Sequence, residues 1–158
     1  MPRIELTTVI AAPIGRVFDL ARNIDIHAAS QSSHGEKAVA GRTSGLIEEG
    51  EEVTWEAVHL GVRQRLTSRI VTMQQPTYFR DSMLRGAFKR MDHDHYFEAG
   101  PAGTVKKDVF DCASPPGPLG RLVDWLFLER YLRRLLEERN QMLKDLAERR
   151  IEGGTRCP

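Results

Sequence analysis

Two histidines stand two residues apart, His93 and His95, inside the run from Phe88 to Ala99. One alternating set of this run is Met91, His93, His95 and Phe97; the other is Arg90, Asp92, Asp94 and Tyr96. The strand period of two therefore turns both imidazoles to one face. Such a pair can ligate a metal ion, with His59, Asp81 or Asp108 as a third ligand. It can also move a proton near neutral pH. Its blandest use is as the polar wall of a cavity, hydrogen-bonded to Asp108, Gln64 or water. The residues alone leave these three chemistries open. Arg139 adds a fixed positive charge that can neutralise Asp81 or Asp108, or meet an anionic group of a ligand. It can equally snorkel to solvent with only its stem covered.

The elements that must position these groups follow from periodicity. Ile4, Leu6, Thr8 and Ile10 alternate with Glu5, Thr7 and Val9, which predicts a strand over residues 3–11. Pro13 suits a first helical turn, and Ile14, Val17, Phe18 and Ala21 follow at helical spacing. A second small helix is expected around Asp25 to Ala29. Strands are then expected at 36–40, 51–60, 62–73, 77–84, 88–99 and 104–112. Gly41, Gly50, Gly61, Pro76, Gly86 and Gly100-Pro101-Ala102-Gly103 punctuate them. Connections this short join antiparallel neighbours rather than βαβ crossovers. Ser114-Pro115-Pro116-Gly117-Pro118 ends the last strand, and a long helix is expected from Leu119 to Arg150. Its expected buried stripe is Leu128, Leu132, Leu135, Arg139, Met142 and Leu146. The order predicts an α+β fold: a bent antiparallel sheet of about seven strands around one long C-terminal helix, with two short helices after the first strand.

Strand alternation sorts the inward faces. Val53, Trp55, Ala57 and His59 share one; Val62, Gln64, Leu66, Ser68 and Ile70 share the next, opposed to Arg63, Arg65 and Arg69. Phe79, Asp81 and Met83 follow. The last strand is ambiguous. Lys106, Asp108, Phe110 and Cys112 share one face, and Val105, Lys107, Val109 and Asp111 the other. If Ala99 pairs with Thr104, His95 stands opposite Asp108; a slip of one residue swaps the faces.

The chain has 158 residues and a mass of 17.9 kDa. Residues 1–150 are expected to form a single domain, followed by a flexible tail at 151–158. Hydrophobic residues make up 41% and charged residues 28%, which excludes a disordered chain. Lys+Arg number 23 against 22 Asp+Glu, a balance that argues against a dedicated nucleic-acid binder. No apolar run approaches the ~20 residues of a membrane span. The first residues, Met-Pro-Arg-Ile-Glu, lack the apolar core of a signal peptide. The two cysteines, Cys112 and Cys157, suggest no disulfide framework, so a cytoplasmic location is expected. There is no G-x-S-x-G elbow, Walker loop, G-x-G-x-x-G turn or C-x-x-C pair.

Several motifs together resemble one family. Gly50-x-x-Val-Thr-Trp-x-Ala-x-His59 is similar to a signature of bacterial ligand-binding SRPBCC proteins. Pro76-x-x-Phe79-x-Asp81-x-Met83-x-x-Gly86-x-Phe88, His93-x-His95-x-Phe97 and Asp108…Pro115…Leu119-Gly120 resemble the same family. These proteins are START-like and have the helix-grip fold; they include lipid carriers, polyketide cyclases and aromatases, and quinone-binding proteins. The resemblance spans most of residues 3–148 and implies a deep cavity between the long helix and the sheet. The sequence departs from the pattern at Lys106 and Lys107, where apolar residues are expected, and at Met91, where an aromatic is common.

On that resemblance, a ligand would meet Trp55, Phe79, Met83, Met91, Phe97 and Phe110 as apolar wall. His59, Gln64, Asp81, His93, His95, Asp108 and Arg139 would supply its polar contacts. The first functional expectation is binding of a small hydrophobic or amphipathic molecule, with no cofactor and no metal. The alternative is a cyclase- or dehydratase-type enzyme in which His93 or His95 is the acid–base, Asp108 orients it and Arg139 stabilises an enolate. A third expectation is a partner-docking module whose interior is filled by side chains. His27 and Ser30 are read as ordinary loop residues near the cavity mouth. Arg63, Arg65, Arg69 and Arg80 are read as a solvated outer face.

Overall fold

The computed structural model describes residues 3–59, 61–113 and 127–152. Strand β1 spans Arg3–Ile10, followed by helices α1 (Ile14–Ala21) and α2 (Ile24–Ser30) and a short 3-10 turn at Ser32–His34. Six strands come next: β2 (Lys37–Gly41), β3 (Glu52–His59), β4 (Val62–Gln74), β5 (Tyr78–Arg85), β6 (Arg90–Gly100) and β7 (Gly103–Ala113). Helix α3 spans Glu129–Glu152. The seven strands form one sheet in the order β1-β7-β6-β5-β4-β3-β2, every pairing antiparallel. This is the helix-grip α+β arrangement expected from the sequence. The expected start of the long helix at 119–126, the Pro-rich stop at 114–118 and residues 153–158 of the expected tail lie outside the described residues; Ile151 and Glu152, expected in that tail, belong to the helix instead. Among those described, no helix is long and apolar enough to cross a membrane.

β4 shifts register against β5 between Thr67 and Ser68 and between Ile70 and Thr72, irregularities of the kind that bend a strand locally. The concave face then closes on the helices. Helix α1 turns Val17, Phe18 and Ala21 inward. Phe18 meets Phe79 and Phe97 edge-on, with ring centroids 5.5 and 5.2 Å away. The outer face is an ion-paired lattice, as its solvated reading predicts. Arg65 binds Glu56, Arg69 binds Glu52, and Arg80 grips Asp94 through two nitrogens at 2.6 and 2.9 Å.

The expected stripe of α3 is corrected along its second half. The helix buries Asn140, Leu143 and Ala147, while Leu132 and Leu136 pack on Ile4, Met91 and Phe110. Met142 and Leu146 instead border a surface groove with Glu138, Gln141, Asp145 and Arg149. A polar residue, Asn140, sits at the centre of the true stripe, and that broke the apolar pattern.

Candidate functional site

The polar site is set by the β6–β7 hairpin. Gly103 has φ 124, and a Cβ there would lie 2.2 Å from the Ile10 carbonyl oxygen, so the hairpin end can only approach β1 with glycine. Pairing Gly100 with Gly103 and Ala99 with Thr104 puts His95 opposite Asp108 and Phe97 opposite Lys106. The conditional register of the last strand therefore holds. Across the other side, β5 places Asp81 against His93.

Four side chains converge. Asp108 Oδ1 lies 3.0 Å from His93 Nε2 and 3.0 Å from His95 Nδ1. Asp81 Oδ1 lies 3.0 Å from His95 Nε2 and 4.0 Å from His93 Nδ1. The two imidazoles overlap, with centroids 3.8 Å apart. Each ring thus has one nitrogen toward each carboxylate. Behind them, Asp108 Oδ2 accepts from Lys106 Nζ and from Asn140 Nδ2 at 2.7 Å, and Lys106 also donates to Asn140 Oδ1 at 3.0 Å.

Burial would push Asp108 upward, but the Lys106 ammonium and the His93 hydrogen bond hold it well below the usual carboxylate range. Burial acts the same way on Asp81 and is outweighed by the His95 hydrogen bond and nearby positive charge, leaving it at about 2. Desolvation lowers His93 to about 4, despite both carboxylates. His93 is therefore neutral at pH 7. An ionised carboxylate only accepts, so Nε2–H of His93 donates to Asp108 and Nδ1 keeps its lone pair.

A cavity of about 340 Å³ opens beside this cluster, between α3 and the sheet. Trp55, Leu66, Met91, Phe110, Leu132 and Leu136 give it an apolar body. His27, Glu36, His59, Gln64, Asp81, His93, Tyr131 and Arg139 add polar groups to its lining, and Arg139 lies close enough to His27, Glu36 and Asp81 to act on all three. His59 Nδ1 lies 2.8 Å from the Tyr131 hydroxyl. Arg139 is half-buried; one guanidinium nitrogen donates to the Ala21 carbonyl at 3.2 Å, and the group also borders the cavity. It does not snorkel away.

Of the expected contact residues, Trp55, His59, Gln64, Asp81, Met91, His93, Phe110 and Arg139 border the cavity. Phe79 and Phe97 do not, because Phe18 of α1 fills the space in front of them. Met83 packs in a side cluster with Ile4, Met91 and Phe110. His95 and Asp108 are sealed behind His93, with 0% and 1% of their surface exposed.

Some residues around the cavity and its polar cluster escaped the sequence reading. His27 and Ser30, read as loop residues, lie in α2, the small helix expected around Asp25 to Ala29. Asn23 caps that helix by accepting from the Asp25 and Ile26 amides. His27 stacks on Trp55 at 4.2 Å and donates from Nε2 to Glu36 at 2.6 Å. Burial and the Arg139 charge push His27 down, while the His27 hydrogen bond brings Glu36 below its ordinary value despite burial. The stacking needs tertiary contact between α2 and β3, which no local pattern encodes. Lys106 carried a signal, as a charged residue where the family resemblance expects an apolar one; Asn140 carried none, because the expected helix stripe ran through Arg139 and Met142 instead.

The sequence matches the family described as polyketide cyclase/dehydrase and lipid transport over residues 1–148. The chain belongs to this family. Among solved structures, TTHA0849 from Thermus thermophilus is similar at TM-score 0.72 and 18% identity, covering 93% of this chain and all of that one. A START superfamily protein from Mycobacterium smegmatis is similar at TM-score 0.68 and 13% identity, covering 94% and 99% of the two chains. These likenesses establish the fold. No curated protein matches the sequence at a significant level.

Proposed function

We propose that the protein binds a small amphipathic molecule in the cavity between α3 and the sheet. The observation that carries this reading is the cavity itself: about 340 Å³, walled by apolar side chains with Glu36, Asp81, His93 and Arg139 among them. That volume falls within the range of small-molecule sites, which combine apolar walls with a few placed polar groups. Burial of an apolar body supplies affinity, at roughly 25 cal/mol per Å² removed from water. Arg139 suits a carboxylate, sulfonate or enolate oxygen, and the His93 Nδ1 lone pair suits a hydroxyl donor. The open cavity favours this reading over a docking module, whose interior would be filled by side chains.

A second reading, acid–base catalysis, is favoured by one feature: His93 faces the cavity with Asp108 fixed behind it. Because His93 titrates at about 4, it would act as a base whose acidic limb lies near pH 4 rather than near neutrality.

Anilinonaphthalene sulfonate, an aromatic anion, tests the binding reading. Its fluorescence should rise on saturable 1:1 binding to the native protein, and Arg139→Leu should weaken that binding at least tenfold. No saturable binding, or binding unchanged in Arg139→Leu, overturns the proposed polarity of the site. Native mass spectrometry against the denatured mass then identifies any retained organic molecule.

A further inference from the structure

We infer that Asp81, His93 and His95 form a divalent-metal site whose open side faces the cavity. One ligand atom from each residue lies within 4.8 Å of the others. Two imidazoles and one carboxylate are the donor set of three-ligand catalytic sites, which leave a coordination position for water or substrate. An ion with bonds of ~2.0–2.1 Å brings its ligand atoms about 3.3 Å apart. The Asp81–His95 pair is already at 3.0 Å and the Asp81–His93 pair at 4.0 Å.

The outer nitrogens make the stronger argument. Metal-bound histidines donate their remaining N–H to a carboxylate or carbonyl. Here His93 Nε2 and His95 Nδ1 both lie 3.0 Å from the same oxygen, Asp108 Oδ1. His93 already makes that hydrogen bond. His95 Nδ1 has the distance but not the angle, and it is a fully buried nitrogen without a hydrogen bond. With an ion on Nε2, the His95 proton belongs on Nδ1, and a small ring rotation directs it at Asp108. Asp108 cannot drift toward the metal, since Lys106 and Asn140 hold its other oxygen.

Charge also fits. Asp81, Asp108 and Glu36 bring three carboxylates to this region against Lys106 and Arg139, so a cation meets a net negative field. Arg139, which borders the same cavity and acts on Asp81, would then meet an anionic ligand shared with the ion.

The test uses the full chain stripped with a chelator and titrated with Co(II) as the probe, read by visible d–d absorption. One ion per chain with tetrahedral or five-coordinate bands is expected. Asp81→Asn and His93→Gln should each abolish the bands, and Asp108→Asn should weaken affinity 10–100-fold. His34→Ala, which removes a histidine outside the cluster, should change nothing. Circular dichroism checks that each variant is folded. Nitrogen chemical shifts of His95 supply a second readout that needs no variant: Zn(II) should move the proton from Nε2 to Nδ1. Absent bands with unmoved His95 shifts, or bands that survive in folded Asp81→Asn and His93→Gln, overturn the site. Failure of the metal test leaves sulfonate binding intact, so the two readings fail separately.

Discussion

His93 and Asp108 are locked in one protonation pattern, Nε2 to Oδ1 at 3.0 Å, with His93 only 3% exposed and Asp108 1%. The pattern makes stability depend on acid. The folded state disfavours protonated His93, which titrates at about 4 instead of the ordinary 6.5. The unfolded chain therefore binds more protons between those values, and stability falls as pH drops from 6.5 to 4. The shift corresponds to roughly 3 kcal/mol at ~1.36 kcal/mol per pH unit. His27 and His59, both lowered, add in the same direction. Asp81, depressed to about 2, costs stability only at lower pH, as the pH falls through about 4 toward 2. Urea midpoints should drop between pH 6.5 and 4, and His93→Gln should flatten that slope. A midpoint independent of pH across this window contradicts the neutral, desolvated His93.

Lys106 is a charge held almost wholly out of water, 2% exposed, against Asp108 and Asn140. Lys106→Met should cost about 3–5 kcal/mol, because it strands the Asp108 carboxylate. The double variant Lys106→Met with Asp108→Asn should lose much less than the sum of the two single changes. A double-mutant cycle by urea unfolding measures this coupling. Additive losses would mean that the two groups do not share a charge pair.

Much of this architecture was legible in the chain. Period-two alternation with Gly and Pro punctuation gave every strand to within two residues at either end. The inward faces of β3 to β6 followed from alternation alone. The His95–Asp108 pairing needed one further fact, the Gly-Pro-Ala-Gly hairpin length. The misreadings have a common cause: they concern which element covers a given inward side chain. Phe79 and Phe97 point inward as expected, yet α1 delivers Phe18 onto them. His27 reaches Trp55 only because α2 packs on the edge of the sheet. Asn140 replaces an apolar residue in the helix stripe because Asp108 and Lys106, far away in sequence, need its amide. Local periodicity carries no term for such partners.

Phe79 separates core from cavity. It is 2% exposed, stacks on His95 at 4.1 Å and meets Phe18 edge-on. Phe79→Ala should destabilise by about 3–5 kcal/mol, as other large-to-small aromatic truncations in cores do. Binding of the sulfonate probe by the fraction that remains folded should change less than threefold. Thermal unfolding and fluorescence titration on the same sample read both quantities. A large loss of affinity with little loss of stability would return Phe79 to the cavity wall.

Ala57 offers the converse test. It is buried on β3, paired with Gln64, and its methyl group borders the cavity. Ala57→Leu places three more carbons where the ligand's apolar body would lie. In a packed core such an insertion costs about 1–3 kcal/mol, because side chains leave their rotamers. Here the added atoms enter open volume, so the unfolding midpoint should stay the same or rise, since more apolar surface is buried. Affinity for anilinonaphthalene sulfonate should fall at least tenfold. Unchanged affinity in a stable Ala57→Leu protein would put the probe outside the cavity, and binding there could no longer be attributed to the apolar body between α3 and the sheet.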